Sequence, residues 1–212
     1  EGLGNVVNEG TVEAAGGNIV LAAGDTFSRA IEGLDTLALS VNGGTGRVVQ
    51  SGTLNADSAT GNGGSVTLTA ADEVVLNDGS LTSANAGDNG DGGQVIVYSP
   101  GKAVFDNGAQ IQAKGGSQSG DGGFAEISGE HFLLAGNLDL SAANGEGGQL
   151  LLDPVNLTIK DGSGTAALDI VYETIVENFS QAGIDVRYEA DKSITLEDLT
   201  DDEITGGSGD IT

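Results

Sequence analysis

The chain has 212 residues, 37 of them Gly, no Cys, Met or Trp, and a formal net charge of −25 from 32 acids against seven Lys plus Arg. That charge excludes binding nucleic acid by phosphate neutralisation, which needs clustered Lys and Arg. Zero Cys excludes disulfides and thiolate sites, and no apolar run approaches the roughly 18 residues of a membrane span.

High charge with low hydrophobicity would leave a chain disordered, but here 38% of residues are apolar and they are placed in order. A Gly-Gly pair followed by alternating residues recurs at Gly16-Gly17, Gly63-Gly64, Gly92-Gly93, Gly122-Gly123 and Gly147-Gly148. The last four lie 29, 30 and 25 residues apart, and the first gap, of 47, has room for two coils. With only two Pro and no three-residue period, the glycines are not collagenous.

Aligned on the second Gly, Ile19, Val66, Val95, Ala125 and Leu150 form one column, and Leu21, Leu68, Val97, Ile127 and Leu152 another. Residues two apart share a strand face, so both columns are expected to face one interior. The column between them, Val20, Thr67, Ile96, Glu126 and Leu151, is mixed, as an outer face should be. A second strand follows in each unit, as in Val74-Val75-Leu76 and Ala103-Val104-Phe105. A third is expected in Leu54-Asn-Ala56, Leu81-Thr-Ser83, Ile111-Gln-Ala113 and Leu140-Ser-Ala142, each with a large then a small inward residue.

Three short strands per unit, stacked in register, predict a right-handed parallel β-helix. About seven coils at roughly 4.8 Å each would make a rod about 35 Å long. The glycines would serve tight corners, through positive φ and close backbone approach. Residues 1–160 read as regular Gly-rich coils, and residues 161–212 as irregular ones.

Past Lys160 the period stops. Tyr172, Ile175, Val176 and Phe179 share the spacing of a helical face, predicting a short amphipathic helix near 169–182. Asp169 is expected to cap its start and Gly183 its end. Strand alternation returns in Ile184–Tyr188 and Ile194–Leu196. The run Glu197–Glu203 holds five acids and reads as a solvated loop. The segment from Gly206 to Ile211 reads as the start of another coil, so the chain is expected to be a fragment of a longer protein.

The stretch Gly122-Gly-Phe-Ala-Glu-Ile-Ser-Gly129, followed by Leu150-Leu-Leu-Asp-Pro154-Val-Asn-Leu-Thr-Ile159, resembles the secreted exoproteins of bacterial two-partner secretion. That group includes filamentous haemagglutinin, high-molecular-weight adhesins and biofilm-matrix adhesins. The resemblance implies a secreted or cell-surface, outer membrane-associated protein. It also implies export through a partner outer-membrane β-barrel transporter, engaged by a domain absent here. The function implied is non-catalytic attachment to cells, surfaces or exopolysaccharide, with a glycan or cell-surface ligand. A polysaccharide-processing enzyme, or the inert stalk of a contact-dependent toxin-delivery exoprotein, are the alternatives.

Candidate chemistry is sparse. Asn62, Asp91, Asp121 and Glu146 precede successive Gly-Gly pairs, and stacked acids repel by about 1 kcal/mol per pair in water at 4 Å. Calcium would relieve this, making Asp88, Asn89, Asp91, Asp121 and Glu146 candidate ligands; solvated turns are the alternative. Seven scattered basic residues offer no lyase cluster, and His131, the only His, reads as a surface strand residue beside Phe132-Leu133-Leu134. No enzymatic activity and no obligate cofactor are expected. Asn156-Leu-Thr158 and Asn178-Phe-Ser180 are sequons, and some relatives of the resembled family are glycosylated at such sites. Ile96, Phe124 and Leu151 lie near one outward column and form a candidate contact patch.

Overall fold

A computed structural model describes residues 4–31, 37–197, 204 and 207–212. The described residues are mostly β, in parallel sheets, with one helix. The acids from 198 to 203 and Gly206 lie outside the described residues.

The first turn of chain comprises β1 (Asn5–Asn8), β2 (Thr11–Glu13) and β3 (Asn18–Ala23). An antiparallel hairpin, β4 (Thr26–Ile31) and β5 (Leu37–Asn42), then interrupts. The next rung is β6 (Arg47–Gln50), β7 (Thr53–Asn55) and β8 (Ser65–Ala70), and these pair in parallel with β1, β2 and β3. The 47-residue gap therefore holds one set of parallel-paired strands plus an inserted hairpin, a correction to the two coils expected. The pattern continues through β9 (Glu73–Leu76), β10 (Leu81–Ser83), β11 (Gln94–Phe105), β12 (Gln110–Gln112), β13 (Phe124–Leu134), β14 (Asn137–Asp139) and β15 (Gln149–Pro154). β11 and β13 are long because each runs through the corner joining two consecutive rungs, with a register shift between Ser99 and Lys102.

The Gly-Gly columns pair as expected: Val66, Val95, Ala125 and Leu150 align, as do Leu68, Val97, Ile127 and Leu152, all fully buried. Full burial of each Leu or Ile among them contributes about 1.5–3 kcal/mol. The column between, Thr67, Ile96, Glu126 and Leu151, is partly exposed.

The third strands required a register correction. Leu54 aligns with Thr82, Ile111 and Leu138, not with Leu81 and Leu140. Thr82 is fully buried while Leu81 is only partly so. A one-residue slip moves a side chain to the opposite face. The short apolar triplets carry too little pattern to fix that register alone. The small interior positions are Ala56, Ala84 and Ala113, with Leu140 beyond them.

After β15 come β16 (Asn156–Lys160), β17 (Ile170–Tyr172), α1 (Glu173–Gln181), β18 (Asp185–Tyr188) and β19 (Ser193–Leu196). The Asp169 N–H donates to the Phe132 carbonyl, and the Asp169 carbonyl accepts the Thr158 N–H, both at 2.9 Å. Segment 169–172 thus lies between β13 and β16, which ends the regular period. β18 pairs with β15, and Val186 bridges Ile211 in parallel, so residues 210–212 lie along β18.

The helix starts later than expected. Asp169 is not its cap: it sits at φ 59 and its carboxylate turns toward β13. Tyr172 holds the N-cap position without a side-chain hydrogen bond. Gly183 ends the helix as expected, at φ 81. The Ile184 and Gly183 N–H groups donate back to Phe179 and Ser180, the paired bonds of a Schellman ending. Val176 is buried, with Ile175 and Phe179 packed against the core.

Candidate functional site

The sheet containing the Gly-Gly strands turns sharply where the third strand of each rung meets the next pair. There the second Gly donates its N–H to the carbonyl of a buried interior residue: Gly64 to Ala56, Gly93 to Ala84, Gly123 to Ala113 and Gly148 to Leu140, at 2.7 to 2.9 Å. A Cβ on Gly64, Gly93, Gly123 or Gly148 would meet the carbonyl oxygen of the glycine one rung earlier. Of the ten paired glycines only Gly16 has positive φ. The four later pairs are therefore required by backbone approach, while Gly16 and glycines outside the pairs, such as Gly79 and Gly108, take positive φ, so both expected reasons hold, at different positions.

The result is an open groove of about 640 Å³ along the seam, floored by Gly63-Gly64, Gly92-Gly93, Gly122-Gly123 and Gly147-Gly148. One wall is a register column: Asn18, Ser65, Gln94, Phe124, Gln149 and Asp185. Asn62 lines the other side. The acids aligned with Asn62 form a hydrogen-bonded ladder. Asn62 Oδ1 accepts the Asp91 N–H at 3.0 Å, Asp91 Oδ1 the Asp121 N–H at 2.9 Å, and Asp121 Oδ1 the Glu146 N–H at 2.9 Å. A parallel ladder runs from Asp57 to the Asn85 N–H and from Asn85 to the Lys114 N–H. Each Asx side chain thus holds the backbone of the following rung.

These bonds occupy one oxygen of the candidate calcium ligands Asp91 and Asp121. Asp88 Oδ1 accepts the Ser117 hydroxyl at 2.9 Å, and Asn89 Oδ1 the Ser119 hydroxyl at 3.0 Å. The structure strings these side chains along the stack; among the described residues no three acid, His or Cys side chains converge to hold a metal ion.

Ile96, Phe124 and Leu151 share the outward face of one sheet, all half-buried. Glu126 separates Ile96 from Leu151 in their column, so they do not form a continuous apolar surface. Tyr98, which the sequence reading passed over, is 43% exposed on the same face. Its signal was available: it follows Gln94 and Ile96 at spacing two. Asn156 is exposed above buried Leu157 and Ile159, with Oδ1 accepting the Ser193 hydroxyl at 2.9 Å. Asn178 is exposed on α1.

His131 is an exposed strand residue, as expected. Its Nδ1 lies 2.6 Å from Asp169 Oδ2, while Asp169 Oδ1 accepts the Phe132 N–H at 3.0 Å. The bases are less scattered than the sequence suggested. Arg47, Glu73, Lys102 and His131 form one column, with Glu73 bridging Arg47 and Lys102. These residues lie 26 to 29 positions apart, so only the rung register reveals the alternation. Lys160 pairs with Glu197, the one described member of the acidic run, at 3.2 Å.

At the end of β15 away from the seam, the Asp153 carboxyl is raised above its ordinary value, first by burial and then by the charges of Glu189 and Asp191. Burial likewise raises the Tyr188 phenol. No helix among the described residues is long and apolar enough to cross a membrane. No protein-family model, no curated protein and no solved structure matches this chain.

Proposed function

We propose that the chain is a segment of a secreted, non-catalytic adhesin: a right-handed parallel β-helical rod that mediates attachment of cells to surfaces, to one another or to matrix polysaccharide. The observation that carries the reading is the register itself. Successive rungs place apolar residues inward and partly exposed ones outward on the same sheet. An architecture in which each rung buries its interior only against its neighbours yields a long, solvent-facing surface suited to contact. The acids fall on turns and outer columns, which discourages self-association of such surfaces. Under this reading the protein reaches the cell surface through an outer-membrane β-barrel transporter, consistent with the resemblance of residues 122–159 to two-partner secretion exoproteins.

The test has two parts. Electron microscopy should show an elongated particle whose strands wind with the right-handed sense of parallel crossovers. Labelled protein should bind bacterial cells or extracted matrix saturably. Release of reducing ends or unsaturated sugars from glycans by the purified chain would replace attachment with catalysis.

A further inference from the structure

We propose that the groove along the Gly-Gly seam holds an uncharged, extended glycan lying across the rungs. Its hydroxyls would bond the side-chain amides of Asn18, Gln94 and Gln149, and one sugar ring would rest on Phe124. This rests on the attachment reading and names its ligand.

The wall of the groove is a polar column with its hydrogen-bonding capacity unspent. The amides of Asn18, Gln94 and Gln149 and the Ser65 hydroxyl bond no described residue. Each amide offers two donors and an acceptor, the complement of a hydroxyl. From Asn18 to Gln149 the column spans four rung intervals, about 19 Å at roughly 4.8 Å each. A small solute would meet one or two of these groups; an extended chain meets them all. Phe124 stands between Gln94 and Gln149 in the same column, half-buried, and offers an apolar face in the middle of the polar row.

Other occupants fit less well. The groove floor has no free strand edge. The seam N–H groups of Gly63, Gly92 and Gly122 donate to Asp91, Asp121 and Glu146. The carbonyls of Gly17, Gly64, Gly93 and Gly123 accept Ser65, Gln94, Phe124 and Gln149. A peptide therefore could not add as a strand. No Lys or Arg lines the groove, and Asp185 ends the column beside the acid ladder, so an anionic polysaccharide would be repelled.

The experiment is calorimetric titration of the full chain with linear glucan, mannan and galactan oligosaccharides, beside heparin, alginate and polylysine. A paired cell-binding assay uses the same protein. The variants are Gln94→Ala/Gln149→Ala, Phe124→Ala and, outside the groove, Tyr98→Ala, each checked by its melting curve. The expected result is binding to at least one uncharged glycan, weakened about tenfold in each groove variant and unchanged in Tyr98→Ala. Saturation-transfer NMR on the unmodified chain gives a second readout, with transfer from the Phe124 ring expected. Uncharged glycan binding indifferent to the groove variants and without Phe124 transfer overturns the site. Binding to heparin, alginate or polylysine alone overturns the ligand class. Cell binding without any glycan binding overturns this inference and leaves attachment standing. Binding to neither cells nor glycans removes both.

Discussion

Replacing Gly123 by Ala adds one methyl group, and the seam geometry makes it costly. The new Cβ would press against the Gly93 carbonyl oxygen, 2.7 Å from Gly92 C and 2.8 Å from Ala113 Cβ. Two of these three obstacles are backbone, so no side chain can swing aside. Relief requires rung separation, which strains the Gly123 N–H bond to Ala113 at 2.7 Å and the Phe124 N–H bond to Gly93 at 2.9 Å. Overpacking costs about 1–3 kcal/mol, and each buried bond left unmade about 1–3 kcal/mol more. The sum is roughly 2–6 kcal/mol if one bond is lost, against a total stability of about 5–15 kcal/mol for a typical domain. Gly123 has ordinary φ, so no conformational penalty contributes. Gly10 is the control: nothing lies within 4 Å of its added Cβ and its φ is not positive. Gly10→Ala should be neutral or stabilising by up to about 1 kcal/mol through the unfolded chain. Urea denaturation followed by circular dichroism measures both, and hydrogen exchange of the Phe124 and Gln149 amides reports the local opening. A cost below about 1 kcal/mol for Gly123→Ala would refute the argument from close approach.

The remaining expectations concern the ladder, the core and the acids. Asp121→Ala should lower stability by about 1 kcal/mol, whereas Asp121→Asn, which keeps the acceptor for the Glu146 N–H, should cost a few tenths; thermal melts separate them. Thr82→Val should stabilise by about 1 kcal/mol, because the fully buried Thr82 hydroxyl has no partner among the described residues; a loss of stability in urea titration would contradict the corrected register. Asp153 is raised, so its charged form is disfavoured in the fold: the penalty is present above the folded pKa and is relieved as pH falls through it. Asp153→Asn should therefore raise the melting temperature at neutral pH, with the gain fading through the carboxylate range. Millimolar calcium should leave the melting temperature in place, since the Asp91 and Asp121 side chains are strung along the stack and already bonded; a rise abolished by Asp88→Asn or Asp91→Asn would instead make these residues calcium ligands.

Much of the stacking was legible because it is periodic. A repeat aligned on Gly-Gly puts Val66, Val95, Ala125 and Leu150 in one column whatever the loops between them do, and alternation assigns their face. Residues 57–62 and 85–91 can differ in length without disturbing that register. The groove was less legible. Its glycines stood out, but their role as a floor depends on the Ala56, Ala84 and Ala113 carbonyls arriving from the preceding strand. Ile96, Phe124 and Leu151 were correctly placed on one face, while the interruption by Glu126 mattered only once neighbouring rungs were paired.

By itself, then, the sequence determined the β class, the parallel repeat, the inward columns of the Gly-Gly strands and the stop of the helix at Gly183. These follow from local periodicity and from single-residue backbone preferences. Tertiary structure alone decided the third-strand register, the hairpin within the 47-residue gap, the Asx ladders and the Arg47–Glu73–Lys102–His131 column. It also turned Asp169 from the helix it was expected to cap to the strand it binds. Apart from the hairpin, whose strands pair residues 6 to 16 positions apart, these features join residues roughly 25 to 40 positions apart, and no local pattern encodes which rung a side chain will meet. The −25 charge belongs to both accounts: its size is compositional, but its distribution into hydrogen-bonded ladders is a product of stacking.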